Sequence, residues 1–188
     1  MSGSVTRRAV RAAAAVVALA AFASGCAARD VIRPDCNSQA RPSLLLMAQS
    51  VRSASHIPCL TTIPAGWSFQ HVDARQDRAR IVLDSDRGGK GALTVTLQAT
   101  CDTSGAKRIP SDEPGTRRFE LVRALAPDYS GVRIYEFPGG CVVYDFDLET
   151  DRASVLLNEA SLMLSFVTRS ALREQMSDFT NGEIDDAP

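Results

Sequence analysis

Lysine and histidine are nearly missing from this 188-residue chain. Lys90 and Lys107 are the only lysines among 21 basic residues, and the histidines are His56 and His71. With two histidines and no CxxC spacing, the common zinc sites, which gather about four His or Cys ligands at set spacings, are disfavoured. No GxSxG elbow, HExxH helix or GxGxxG loop occurs, so the familiar serine-hydrolase, zinc-protease and dinucleotide-binding patterns are absent. Gly88-Gly89-Lys90-Gly91 carries glycine and lysine but lacks the spacing and the following Ser or Thr of a phosphate-binding loop, and reads as a turn. No internal repeat or long low-complexity tract is present. Neither a metal nor a cofactor is implied.

What is there begins with an export segment. Arg7, Arg8 and Arg11 precede an unbroken run of Ala, Val, Leu and Phe from Ala12 to Phe22. That run has the length of a signal-peptide core and is shorter than the roughly 20 residues a spanning helix needs. Ala23-Ser24-Gly25-Cys26 follows, and it resembles the lipobox of bacterial lipoproteins, although Ala23 stands where Leu is commoner. The resemblance covers only this segment. It implies that residues 1–25 are cleaved, that Cys26 receives the lipid, and that the chain sits on the extracytoplasmic face of the cell membrane. Cleavage nearby by ordinary signal peptidase is the other reading, and it leaves Cys26 a plain thiol. The Arg-for-Lys bias and the wealth of Ala and Asp match high-GC coding, and with the lipobox they resemble an actinobacterial envelope protein.

Removing the three n-region arginines moves the formal charge from −1 to −4. A mildly acidic remainder disfavours nucleic acid as a partner, because nucleic-acid binding uses a concentrated basic face. About 160 residues suit one domain. If Cys26 carries lipid, Cys36, Cys59, Cys101 and Cys141 remain as an even set in an oxidising compartment, which favours two disulfides. Of the three connectivities, Cys36 with Cys59 and Cys101 with Cys141 is favoured, the first closing an N-terminal loop and the second cross-linking a sheet. Each is expected to contribute about 3 to 4 kcal/mol through loop entropy.

The mature chain divides into a tether over 26–41, one domain over 42–180 and an acidic disordered tail over 181–188. Pro42 can open a helix with Leu44, Met47 and Val51 on one face. Trp67, Phe69 and His71 then alternate with polar neighbours, and Ala79, Ile81 and Leu83 answer them as a hairpin partner. Leu93, Val95, Leu97, Ala99 and Cys101 against Thr94, Thr96, Gln98 and Thr100 describe a strand with one buried and one wet face. A further strand is expected over Arg118–Leu125. For Gly131–Leu148, a three-residue loop at Pro138-Gly139-Gly140 would oppose Ile134 to Tyr144 and Val132 to Phe146, leaving Arg133 and Asp145 as an outward pair. A two-residue loop is read as setting Ile134 against Asp145. From Asp151 the spacing becomes helical, with Leu156, Ala160, Met163 and Val167 on one face and Thr150 or Asp151 capping. Ser170 is expected to cap a last helix with Leu172, Met176 and Phe179 inward. The fold class is therefore α+β, an antiparallel sheet of about five strands with helices on one face.

Chemistry is harder to read. His71 lies two residues from Asp73 and would suit a general base, which points to an envelope hydrolase as the alternative function. A half-buried histidine at a sheet edge is the plainer reading. Asp145, Asp147 and Glu149 alternate on one face and could face a cation, but they read better as a solvated strand face. Trp67 and Tyr144 read as core rather than as a stacking platform. The favoured function is a membrane-anchored, non-enzymatic binding or accessory module for an envelope protein or small ligand.

Overall fold

The computed structural model describes residues 32–37 and 42–179. The signal segment, Cys26, the acidic tail and the side chains of Met176 and Phe179 lie outside the described residues. Among the described residues the chain forms helices α1 (Pro42–Ser50), α2 (Ala153–Met163) and α3 (Arg169–Phe179). The strands are β1 (His56–Leu60), β2 (Trp67–Arg75), β3 (Arg78–Ser85), β4 (Gly89–Gln98), β5 (Lys107–Ile109), β6 (Arg117–Ala124), β7 (Asp128–Phe137), β8 (Gly140–Glu149) and β9 (Leu164–Thr168). None of these helices is long and apolar enough to cross a membrane.

Strand period 2 and helix period 3.6 sort the residues between two layers. Seven strands form one antiparallel sheet in the order β2-β3-β4-β8-β7-β6-β5, and β1 and β9 form a separate antiparallel ribbon. The expectation of about five strands is corrected to seven plus two. Three pieces were unreadable as strands: β5 is three residues inside a polar loop, β1 contains Pro58 and shows no alternation, and β9 carries helix-like spacing.

One sheet face presents Ala79, Ile81, Leu83, Leu93, Val95, Leu97, Val142, Tyr144, Phe146 and Leu148, all buried. Helix residues Leu44, Met47, Leu156, Ala160, Met163 and Leu172 join them in one core with β1 and β9. Each fully buried Leu, Ile or Phe side chain contributes about 1.5 to 3 kcal/mol, so this single layer of contacts dominates the stability. Among the described residues no helix lies on the other sheet face.

Five local expectations change. The β7–β8 turn has a two-residue loop, with Phe137 opposite Gly140, Ile134 opposite Val143, Val132 opposite Asp145 and Arg133 opposite Tyr144. Partners in an antiparallel pair share a face, so Arg133 points into the core layer, 7% exposed, while Val132 and Ile134 take the helix-free face. Tyr135 and Phe137 carry more apolar surface than Val132 and Ile134, and their claim on the core side takes Arg133 with them. Gly139 holds φ 76° at the turn, and a Cβ there would strike the Ser53 carbonyl.

A bulge between Phe69 and His71 breaks the β2 alternation. Phe69, Val72 and Ala74 contact the main core, whereas His71 and Asp73 turn to the helix-free face opposite Val82 and Arg80. Strand β4 ends at Gln98, so Cys101 leaves the Leu93–Leu97 face and folds onto the opposite one. Finally, α2 stops at Met163, and Val167 pairs with Ile57 in the ribbon instead of extending the helix. At the start of α3 the capping oxygen is Thr168 Oγ1, accepting from Ala171 N at 3.2 Å, rather than Ser170. Thr150 Oγ1 accepts from Arg152 N at 3.2 Å ahead of α2.

Disulfides join Cys36 to Cys59 and Cys101 to Cys141. Within the segment expected to be a tether, Pro34 O accepts from Leu60 N at 2.7 Å and Cys36 N donates to Leu60 O at 2.9 Å, so this short stretch lies along β1. Arg169 ties the ribbon to the end of α1, its guanidinium donating to the carbonyls of Ala48, Val51 and Ala54 at 2.7 to 2.8 Å. It satisfies acceptors that a helix C-terminus otherwise leaves open.

Candidate functional site

Strand register lays the helix-free face out in rows. One row runs Asp73–Arg80–Thr96–Val143–Ile134–Phe119, and the next runs His71–Val82–Thr94–Asp145–Val132–Leu121. The face is thereby split along β8. Toward β2 it is polar and arginine-bearing. Toward β6 it is apolar, where Val132, Ile134 and Cys141 are buried under Cys101, Phe119, Leu121 and Val143. The Cys101–Cys141 bridge holds the chain after β4 against this apolar half.

A groove of about 340 Å³ lies at the boundary, lined by Arg78, Arg80, Thr94, Thr96, Gln98 and Val143, with Asp145 at its side. That volume is at the lower end of small-ligand sites. Arg80, Thr94, Thr96, Gln98 and Val143 are half-buried, so their side chains are held by neighbours on both flanks. A wider depression of about 830 Å³ between the end of α1 and the β2–β3 turn is lined by Gln49, Arg52, Arg75, Gln76 and Asp77. All five are exposed, and such side chains would have to be ordered by the ligand itself.

Charges in the groove are unevenly matched. Asp145 pairs with Arg123 at 3.0 Å and Asp73 with Arg75 at 2.9 Å. The hydrogen bond from Arg75 holds the Asp73 carboxyl below the usual carboxylate range, with help from the charges of Arg75, Arg78 and Arg80. Among the described residues Arg78 and Arg80 form no ion pair, and Arg80 Nε is buried without any hydrogen-bond partner. A buried donor left unpaired costs about 1 to 3 kcal/mol.

A second polar cluster lies on the inner face. Arg133 Nε donates to Glu120 Oε1 at 2.7 Å, Arg118 Nη2 reaches the same oxygen at 2.5 Å, and Arg133 also donates to Ser161 on α2. Asp112 accepts from Tyr135 Oη at 2.8 Å and pairs with Arg118 at 2.9 Å. Burial pushes the Glu120 carboxyl up, but the hydrogen bonds from Arg118 and Arg133 outweigh it and hold the group below its ordinary value. Burial, with the nearby Asp112, raises Glu113. Burial also raises the Tyr135 and Tyr144 hydroxyls. Arg118 and Arg133 are matched by Glu120 and Asp112, so the cluster braces α2 and the loop before β6 against the sheet.

The histidines sit far apart in role. His71 is exposed on the polar half, and Asp73 binds Arg75, so the pair considered for general-base chemistry is not assembled. His56 is the histidine with a hydroxyl partner, Ser55 Oγ at 2.8 Å from Nδ1, and its ring lies 4.9 Å from that of Phe137. Burial lowers its pKa. No carboxylate orients the ring among the described residues, so a Ser–His–acid relay is not formed. Asp145, Asp147 and Glu149 are exposed along β8, and Trp67 and Tyr144 are buried. No described group of three His, Cys, Asp or Glu side chains is placed to hold a metal. The Arg78–Arg80 groove was missed at the sequence level; its signal was the outward register of Arg78 and Arg80 against Thr94, Thr96 and Gln98.

Comparison with protein-family models, with curated proteins and with solved structures yields no significant match to this chain.

Proposed function

We propose that the chain is a lipid-anchored extracytoplasmic binding module that presents the helix-free sheet face to its ligand. The observation that carries the reading is the asymmetry of the sheet. Helices and the β1–β9 ribbon seal one face, while the other keeps a groove whose half-buried arginine lacks a partner. Such concave, partly buried polar groups are what a binding site needs, and among the described residues no nucleophile with an oriented base accompanies them. Cys26 supplies the anchor in this reading, and the lipid raises local concentration at the membrane.

Two experiments test it. Radiolabelled palmitate enters the wild-type chain and not Cys26→Ala; equal labelling overturns the anchor. A photo-crosslinking residue at Thr96 forms adducts with an envelope component, whereas the same residue at the exposed Val155 of α2 does not. Adducts at Val155 and none at Thr96 would move binding to the helical layer and defeat the proposal.

A further inference from the structure

We infer that the groove takes a phosphorylated polyol, with the phosphate on Arg78 and Arg80 and the hydroxyls on Thr94, Thr96 and Gln98. This rests on the reading of the helix-free face as the binding face and names the ligand class for it. Arg78 and Arg80 stand two residues apart on β3 and so point to the same side. Their cross-strand partners on β4 are Gln98 and Thr96. Two guanidinium groups offer several N–H donors in fixed planes, which a phosphate with three free oxygens can engage more fully than a carboxylate with two. Arg80, whose Nε is buried without a protein acceptor, makes no ion pair among the described residues, so its outer N–H groups are not committed to a protein anion. Both neighbouring carboxylates, Asp73 and Asp145, are already held by Arg75 and Arg123, so they do not neutralise the pair in full.

The rest of the lining decides what the phosphate is attached to. Thr94 and Thr96 hydroxyls and the Gln98 amide both donate and accept, as ligand hydroxyls do. None of the lining residues is aromatic, so the groove offers no platform for a nucleobase. A volume of about 340 Å³ exceeds what a bare phosphate fills and leaves room for a short hydroxylated chain. The same chemistry comes from two sources, a free polyol phosphate or the phosphoglycerol headgroup of a membrane lipid.

Calorimetric titration of the purified full chain in neutral detergent with sn-glycerol 3-phosphate, inorganic phosphate and glycerol tests the inference. Glycerol 3-phosphate is expected to bind at least about tenfold more tightly than either fragment, and more weakly as salt rises. Arg80→Met should cost about tenfold or more and Thr96→Val a few fold, with Arg152→Gln unchanged. Arg80→Met keeps the aliphatic stem, and an unaltered melting temperature shows that it folds; Thr96→Val provides an independent check. Unchanged affinity in both variants, or inorganic phosphate binding as tightly as glycerol 3-phosphate, overturns the inference. Vesicles separate the sources. Retention of Cys26→Ala protein on phosphatidylglycerol but not phosphatidylcholine vesicles, lost with Arg80→Met, identifies the headgroup. Binding to soluble ligand alone identifies the free polyol phosphate. If no arm binds while Thr96 still crosslinks, the ligand class fails and the binding face stands; if Thr96 is also silent, both fail.

Discussion

Arg133 and Glu120 face each other across β7 and β6, with Nε 2.7 Å from Oε1, on the side of the sheet that the helices cover. Arg118 shares the same carboxylate oxygen. Removing Glu120 therefore leaves the buried Arg133 guanidinium without its anion and Arg118 with Asp112 alone. Because the Glu120 side chain is 33% exposed, water screens part of the penalty, and Glu120→Gln is expected to cost about 2 to 3 kcal/mol rather than the larger loss of a sealed pair. Urea unfolding measures it. The folded-state pKa of Glu120 is depressed, so its contribution is present above the unfolded value of about 4.3 and is lost as pH falls through the folded value. Glu120→Gln should accordingly flatten the acid limb of stability against pH. A wild-type acid limb in the variant would count against this assignment.

His56 gives a second pH dependence, at higher pH. Burial lowers its pKa below 6.5, so the unfolded chain takes up the proton first as pH falls. Its stabilising contribution is thus complete above about pH 6.5 and is lost as pH drops through the folded value. The urea midpoint of the wild type should fall between about pH 7.5 and 5, and fall less in His56→Gln. Glu113 works in the opposite sense, since burial and Asp112 raise it and its contribution grows as pH drops. The readout is therefore the difference between the two proteins at each pH.

These interactions also show what was legible in the linear chain. The layer assignment of Leu93, Val95 and Leu97 needed only alternation, and the α1 face of Leu44, Met47 and Val51 needed only helical spacing. Register was another matter. A single residue of turn length decides whether Arg133 points out toward solvent or in toward Tyr144, and Pro138-Gly139-Gly140 is compatible with either loop. The bulge after Phe69 is equally silent in sequence, although it moves His71 and Asp73 to the other face. Met163 and Val167 keep a helical interval across a helix end, because the demand of β1 for a partner strand is tertiary. The groove depended on all of these at once: it exists where β3, β4 and β8 align outward residues that are distant along the chain.

The Cys101–Cys141 disulfide closes a loop of sequence separation 40 and anchors the chain after β4 over Val132 and Ile134. A loop of that size contributes about 4 kcal/mol in the chain-entropy model, against about 3.4 for the separation of 23 between Cys36 and Cys59. The Cys101→Ser, Cys141→Ser double variant should lose that stability and also expose the apolar half of the open face. Hydrogen exchange is the discriminating measurement. Faster exchange in residues 99–106 together with β7 is expected, whereas loss confined to 99–106 would mean that Phe119, Leu121 and Val143 protect the patch unaided.

Trp67 and Glu159 connect the sheet to α2, with Nε1 donating to Oε2 at 2.7 Å while Arg87 grips the same carboxylate at 2.8 Å. The Arg87 hydrogen bond is the main reason the Glu159 carboxyl stays below its ordinary range. Arg87 is 39% exposed, so water screens its ion pair, and the indole bond carries most of the docking energy at this corner. Trp67 is the only tryptophan, and its emission therefore reports the surroundings of this one indole. A double-mutant cycle of Trp67→Phe and Glu159→Ala should give a coupling of about 1 kcal/mol, and Arg87→Ala with Glu159→Ala a smaller one. Glu159→Ala should also shift the emission to longer wavelength as α2 loosens and water reaches the indole. An unchanged spectrum with full loss of stability would instead place the effect of Glu159 in α2 itself.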